Sequence, residues 1–174
     1  MQRLTVTLAV AATILAQGAS ASSAQQASTL HSTVFPADSA RSRRAGPPVQ
    51  RSLVDTATAI LSKLEMHETT LQPGESPHPP HRHAHEELMI IQSGTVEALQ
   101  NGVTRRAGPG SVIFMASNEL HGLRNPGPQP ATYLVIRVDP HDVPPDAPMT
   151  AADRATKAWT DSVRRTPPAA RNPR

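Results

Sequence analysis

Five turn signals cut residues 51–138 into runs too short for ordinary helices: Gly74, Ser93-Gly94, Asn101-Gly102, Gly108-Pro109-Gly110 and Asn125-Pro126-Gly127-Pro128. Glycine and proline at this density break helices and mark chain reversals. The runs between them are strand-length, at 62–71, 87–92, 95–100, 103–106, 111–115 and 131–138. Many short strands at such spacing predict an all-β fold, an antiparallel sandwich or barrel over 51–138. Asn101-Gly102 predicts a two-residue type I′ hairpin, because that turn needs positive φ at both positions. Aromatic residues are confined to Phe35, Phe114, Tyr133 and Trp159, so aliphatic side chains must supply most of the core.

Both ends of the 174-residue chain differ from this middle. Met1-Gln2-Arg3 is followed by an apolar run over 4–16 and by Gln17-Gly18-Ala19-Ser20-Ala21, with no acidic residue before Asp38. This is the pattern of a secretory signal peptide over 1–21, cleaved after Ala21. The apolar run falls short of the roughly 20 residues a membrane span needs, so no span is expected after cleavage. The expected location is therefore secreted or periplasmic. Residues 22–50 are rich in Ala, Ser, Gln, Arg and Pro and lack periodicity, which predicts a disordered linker. Residues 139–148 are too proline-rich for sheet or helix and are expected to lead away from the core. Within the tail over 139–174, residues 150–165 read either as a short helix, with Thr150 as N-cap and Asp153 three positions later, or as a loosely ordered segment. Residues 166–174 are expected to be disordered.

Lys and Arg number 17 against 14 Asp and Glu, and much of the basic charge flanks the middle segment. Acidic residues are interspersed in the tail and no aromatics interleave with the basic ones, so no nucleic-acid partner is expected. The chain has no cysteine, which limits any metal site to nitrogen and oxygen ligands.

Histidine supplies such ligands. The run His81-Arg82-His83-Ala84-His85-Glu86-Glu87 is answered by an isolated His121. On an extended segment, side chains at i and i+2 share a face, so His81 and His83 form a chelating pair. His85 and Glu87 have the same parity, and parity alone does not decide which of the four bind. A bulge near 84–86 would remove His85 from the set. In a closed barrel a neighbouring strand would put His121 opposite the pair. The alternative reading is a Pro-rich surface tract, including His78, that chelates metal loosely. Glu65, His67, Glu97, Tyr133 and Arg137 interrupt the predicted strands, and outward positions are the commoner explanation for them. Arg82 and Arg124 flank ligand positions and are candidates to receive an anionic substrate.

The two halves of this pattern resemble the two motifs of the cupins, small jelly-roll barrels. The first motif is matched by Gly74, His81-Arg82-His83, Glu87 and Gly94, with one extra residue after Gly74. The second is matched by Gly110, His121 and Asn125, with Ala116 and Asn118 where the family has Pro and Gly. Asn tolerates the left-handed conformation that Gly supplies, so Asn118 is a mild change. The resemblance implies a single cupin-type jelly-roll barrel in which His81, His83, Glu87 and His121 bind a divalent metal. It leaves up to two coordination positions for water or substrate, and makes His85 and Asn125 either groups that orient the ligands or alternative ligands. Manganese or iron is favoured because open positions suit octahedral coordination, with nickel, copper or zinc as the other choices. The partner is then a small organic molecule, turned over by oxygenase, isomerase or lyase chemistry, or bound without turnover. Sheet edges and outer faces that need cover make a homodimer an expectation as well.

Overall fold

The protein is described from a computed structural model, which covers residues 30–42 and 48–164. The expected signal peptide over 1–21, parts of the expected linker and the expected disorder over 166–174 lie outside the described residues. Among the described residues no helix is long and apolar enough to cross a membrane.

Nine strands are described: β1 (Arg41–Ser42), β2 (Val49–Thr56), β3 (Leu61–Leu71), β4 (Glu86–Ser93), β5 (Val96–Gln100), β6 (Val103–Ala107), β7 (Val112–Met115), β8 (His121–Arg124) and β9 (Ala131–Pro140). They form a six-stranded sheet in the order β1-β2-β3-β9-β4-β7 and a three-stranded sheet in the order β6-β5-β8. Every pairing is antiparallel. The chain is thus mostly β, with the two-sheet arrangement of a jelly roll.

Local chemistry explains the turns. Asn101 (φ 46°) and Gly102 (φ 83°) both take the left-handed region between β5 and β6, as their sequence predicts. At Gly94 (φ 74°) a Cβ would lie 2.5 Å from the Pro130 carbonyl oxygen and 2.6 Å from Ala131 Cα. This turn therefore needs glycine twice over, for its dihedral and for its close approach to the start of β9.

Two barrel strands fall outside the expected set. β2 begins at Val49, inside the segment expected to be linker, and its sequence VQRSLVDT shows no clean alternation. Ser52 and Val54 flank a register shift against β3 that interrupts any period of two. β8 is four residues long and contains Gly122, so it has too little pattern to be read as a strand. The leader also departs from expectation, since Arg41 and Ser42 pair with Ser52 and Arg51 at the sheet edge.

Strand β9 lies between β3 and β4, and its register sorts the barrel interior into layers. Tyr133 stands opposite Thr69 and Ile91, Val135 opposite His67 and Met89, and Arg137 opposite Glu65 and Glu87. Inward residues at the first layers join Leu71, Val96, Ala98, Met115, Leu123 and Ala131 in one buried apolar cluster. Successive layers then become polar and charged. Burying the apolar end stabilises the barrel by about 25 cal/mol for each Å² of apolar surface removed from water. That packing leaves the polar end free to be a site.

Replacing Gly94 with alanine is expected to cost more than about 2 kcal/mol, from a left-handed dihedral and a backbone clash together. Urea unfolding of Gly94→Ala beside Gly102→Ala checks this. A Cβ at Gly102 meets nothing within 4 Å, so the second variant carries only the dihedral cost.

Candidate metal centre

The two histidine-bearing segments are held together by their backbones. His81 and His121 form an antiparallel bridge, exchanging N–H···O bonds of 2.9 and 3.0 Å. Asn118, at φ 58°, donates its backbone N–H to the His83 carbonyl at 2.7 Å. Gly122 lets the first segment lie this close, because a Cβ there would stand 3.0 Å from Pro80 Cγ. Three backbone bonds and one glycine thus bring together imidazoles that are far apart in sequence.

The rings of His81, His83 and His121 are mutual neighbours, with centroids 5.1, 4.7 and 4.4 Å apart. Their ligand-capable nitrogens all lie within 4.8 Å of one another, a grouping that could hold a metal ion. His83 Nδ1 donates to the His85 carbonyl at 2.9 Å, and His121 Nδ1 donates to the Glu119 carbonyl at 2.8 Å. A carbonyl can only accept, so each ring in its neutral form carries its lone pair on Nε2. His83 Nε2, His121 Nε2 and His81 Nδ1 are buried without a hydrogen-bond partner among the described residues. Each such orphan costs about 1–3 kcal/mol, and a cation bound by the three lone pairs would remove that cost. The residues present therefore fit a divalent metal.

Glu87 joins the cluster through His83. It forms a second potential ligand group with His83 and His85, lying 3.6 Å from His83 Nε2 and 3.2 Å from His85 Nε2. His85 stacks on His83 with ring centroids 3.5 Å apart and planes at 7°. Burial alone would raise the Glu87 carboxyl, but the two histidines hold it well below the usual carboxylate range. Burial would likewise lower His83, and contact with the Glu87 charge raises it instead. Burial, reinforced by the neighbouring histidines, lowers His81 to about 3. The same burial lowers His121 to about 4.

Asn125 belongs to neither group. Its Nδ2 donates to the Leu71 and Gln129 carbonyls at 3.1 and 2.8 Å, and its Oδ1 accepts from Gly127 N at 2.9 Å. The fully buried amide anchors the turn that leads into β9. Arg82 and Arg124 are likewise committed to protein groups rather than poised for an anion. Arg82 clamps Asp153 with two bonds of 2.9 Å and reaches the Asn118 carbonyl at 2.6 Å. Arg124 pairs with Glu97 at 2.6 Å and stacks 4.1 Å over the Trp159 ring.

Those contacts reveal what the tail does. Instead of leading away, the Pro-rich segment returns over the histidine loop: Ala84 N donates to Asp146 at 2.7 Å, and Ala147 N donates to Asn118 Oδ1 at 2.6 Å. Two short helices follow, α1 (Ala151–Ala155) and α2 (Lys157–Arg164), and Thr150 with Asp153 forms the capping box their spacing suggests. Arg82 and Ala84, which alternate with His81, His83 and His85, are both tied to the tail. Neither charge pattern nor periodicity signals this, because it depends on where the chain goes after β9.

A cavity of about 190 Å³ opens beside the centre, and both Glu87 and His121 line it. Met89, Leu123, Tyr133 and Val135 give it an apolar wall. His67 also lines it, and Glu65 beside it is 5% exposed, so these β3 residues point inward rather than outward. Alternation along β3 could have suggested a shared face, but its inward face is polar and looks like a surface in sequence.

Two outcomes are expected. In chelator, the protein should lose stability as pH falls from about 6.5 toward 3. His81 and His121 take up protons in the unfolded chain near their ordinary 6.5 but in the folded chain only near 3 and 4. The raised His83 opposes this trend, and two lowered groups outweigh it; urea unfolding at stepped pH measures the sum. Separately, Asp153→Asn should weaken metal binding roughly tenfold by loosening the Arg82 anchor, as read by competition with a metal-indicator dye.

The cupin domain family matches residues 67–137. No curated protein matches the chain. Among solved structures, KdgF from Halomonas sp. is 18% identical with a TM-score of 0.51, over 64% of this chain and 97% of that one. A cupin 2 conserved barrel domain protein from Salinispora arenicola is 20% identical with a TM-score of 0.50, over 75% and 98%. A predicted oxalate decarboxylase from Thermotoga maritima is 19% identical with a TM-score of 0.51, over 61% and 98%. At these identities the likeness is one of fold. Family match, two-sheet topology and fold relatives agree on a cupin-type barrel in this chain, with residues 67–137 resembling the cupin domain.

Proposed function

We propose that this is an exported, metal-dependent cupin that acts on a small organic molecule. His81, His83 and His121 would hold a divalent transition metal, with Glu87 as the oxygen ligand. The observation that carries this reading is the set of three buried imidazole nitrogens without partners beside a cavity of about 190 Å³. Nitrogen and oxygen donors alone suit manganese or iron, the favoured choices. When bound, such a metal supplies Lewis acidity, or oxygen activation if it is iron. The chain's own residues do the rest. His85 holds Glu87 through Nε2, the Glu119 and His85 carbonyls orient the imidazoles, and Met89, Leu123 and Val135 keep the cavity wall dry.

An oxygenase, isomerase or lyase is preferred to a passive binder, because the cavity is also lined by His67, a titratable group beyond the ligand set whose Nδ1 lies 3.1 Å from Glu65. Export is supported by the n-region, apolar run and small residues ahead of position 22. A homodimer is supported by the exposed Leu88, Val112 and Phe114 on β4 and β7.

Elemental analysis of the mature, untagged protein beside His121→Ala tests the reading. Near-stoichiometric metal that is lost in the variant is the expected result, and its identity narrows the reaction class. Metal retained in His121→Ala would mean that the 78–85 tract chelates alone, and the proposal would fall.

A further inference from the structure

The segment after β9 touches both histidine-bearing stretches, and on the first it does so through residues that alternate with the candidate ligands. Arg82 stands between His81 and His83 and grips both carboxylate oxygens of the buried Asp153 at 2.9 Å. Ala84 stands between His83 and His85 and donates its N–H to Asp146 at 2.7 Å. On the second stretch, Asn118 donates through Nδ2 to the Pro145 carbonyl at 3.1 Å and accepts the Ala147 N–H at 2.6 Å, while its own backbone N–H holds the His83 carbonyl. Arg82 joins the two stretches to each other, reaching the Asn118 carbonyl at 2.6 Å. Farther on, α2 lies over Arg124, three residues beyond His121. The guanidinium bonds to the Trp159 carbonyl and to Ser162 Oγ, and Trp159 Nε1–H donates to Thr104 at 3.1 Å.

These bonds share one geometric condition. Asp146 and Asp153 engage the first stretch, and Pro145 and Ala147 engage the second. All four are satisfied together when the two stretches lie in the register that brings His81, His83 and His121 within reach of one ion. A metal on those histidines would favour the same register. Two binding events that favour one arrangement of a shared element strengthen each other, and by equal factors.

We propose that residues 145–162 form a metal-coupled strap, docked firmly when the histidine centre is loaded and released more readily when it is empty. The inference rests on the metal-site reading above and adds to it an element that responds to the state of the centre. Asn118, Asp146 and Asp153 are positioning residues, since they act through the loops that carry the histidines. Arg154 and Lys157 are exposed on the outer side of the strap. A protease that cuts after basic residues needs the strap locally opened before it can cleave there, so metal loss sensitises the tail to cutting.

The test uses the full chain with Zn2+, a redox-inert probe with no redox chemistry of its own. Trypsin cleavage after Arg154 and Lys157 is followed by mass spectrometry with and without one equivalent of zinc. The emission of Trp159, the one tryptophan of the chain, is read in the same samples. Zinc is expected to slow cleavage at both sites about tenfold and to move Trp159 emission to shorter wavelength. Arg105 and Arg106 in β6 are cut when the barrel itself opens, and tail cleavage in the metal-free protein should outpace theirs. Asp153→Asn and Asp146→Ala, checked by circular dichroism to keep the barrel, should still bind zinc, while its effect on tail cleavage falls to about twofold or less. Zinc that binds wild type but leaves tail cleavage unchanged, protection undiminished in Asp153→Asn, or tail cleavage no faster than that of β6 would overturn the strap with the metal-site reading intact. Wild type that binds no more zinc than His121→Ala would instead remove the metal-site reading, and the strap with it.

Discussion

The reciprocal backbone bonds between His81 and His121 are the contact on which the site depends. They close the open edge of β8 against the histidine loop, and they fix two candidate ligands before any side-chain interaction is counted. Because both bonds run through main-chain atoms, the side chains remain available for a metal. Gly122 permits the approach, and Asn118 in the left-handed region turns the chain so that His121 meets the bridge.

The remaining architecture serves that contact. An apolar plug of Leu71, Ile91, Val96, Leu123 and Tyr133 supplies the stability that a polar mouth cannot. The cost of the mouth is visible in three orphaned imidazole nitrogens and in histidines held neutral by burial. Such costs persist only where the surrounding structure sustains them, and they concentrate where function resides. The tail adds a second constraint. By anchoring Arg82 and Ala84 through Asp153 and Asp146, it stiffens the loop that carries His81, His83 and His85. Loops without such ties would hold ligands less accurately, and metal affinity is sensitive to that accuracy.

Much of the candidate site is legible in the sequence because its determinants are local. The i, i+2 spacing of His81 and His83 gives a shared face on any extended segment, and Asn101-Gly102 names its own turn. His85 is partly legible: its parity puts it beside Glu87, yet only the fold shows the ring stacked on His83 and bonded to that carboxylate. Asn125 matches a motif position, but its amide is spent on the Leu71, Gln129 and Gly127 backbones. Arg82 and Arg124 read as anion receptors when only their neighbours in sequence are seen. Their actual partners, Asp153, Glu97 and Trp159, lie tens of residues away.

What the sequence determined by itself was the class of fold, the turns and the histidine cluster as a candidate donor set, since each follows from short-range periodicity, backbone preference and donor chemistry. What only the tertiary structure decided was which face of β3 is interior, how β9 aligns Glu65, Arg137 and Glu87 in one layer, and where the Pro-rich tail returns. The physical reason is that a strand's inward face is defined by its neighbours. Polar residues such as Glu65 and His67 carry no hydrophobic signature to mark their side, so their place in the cavity appears only when the strands pair.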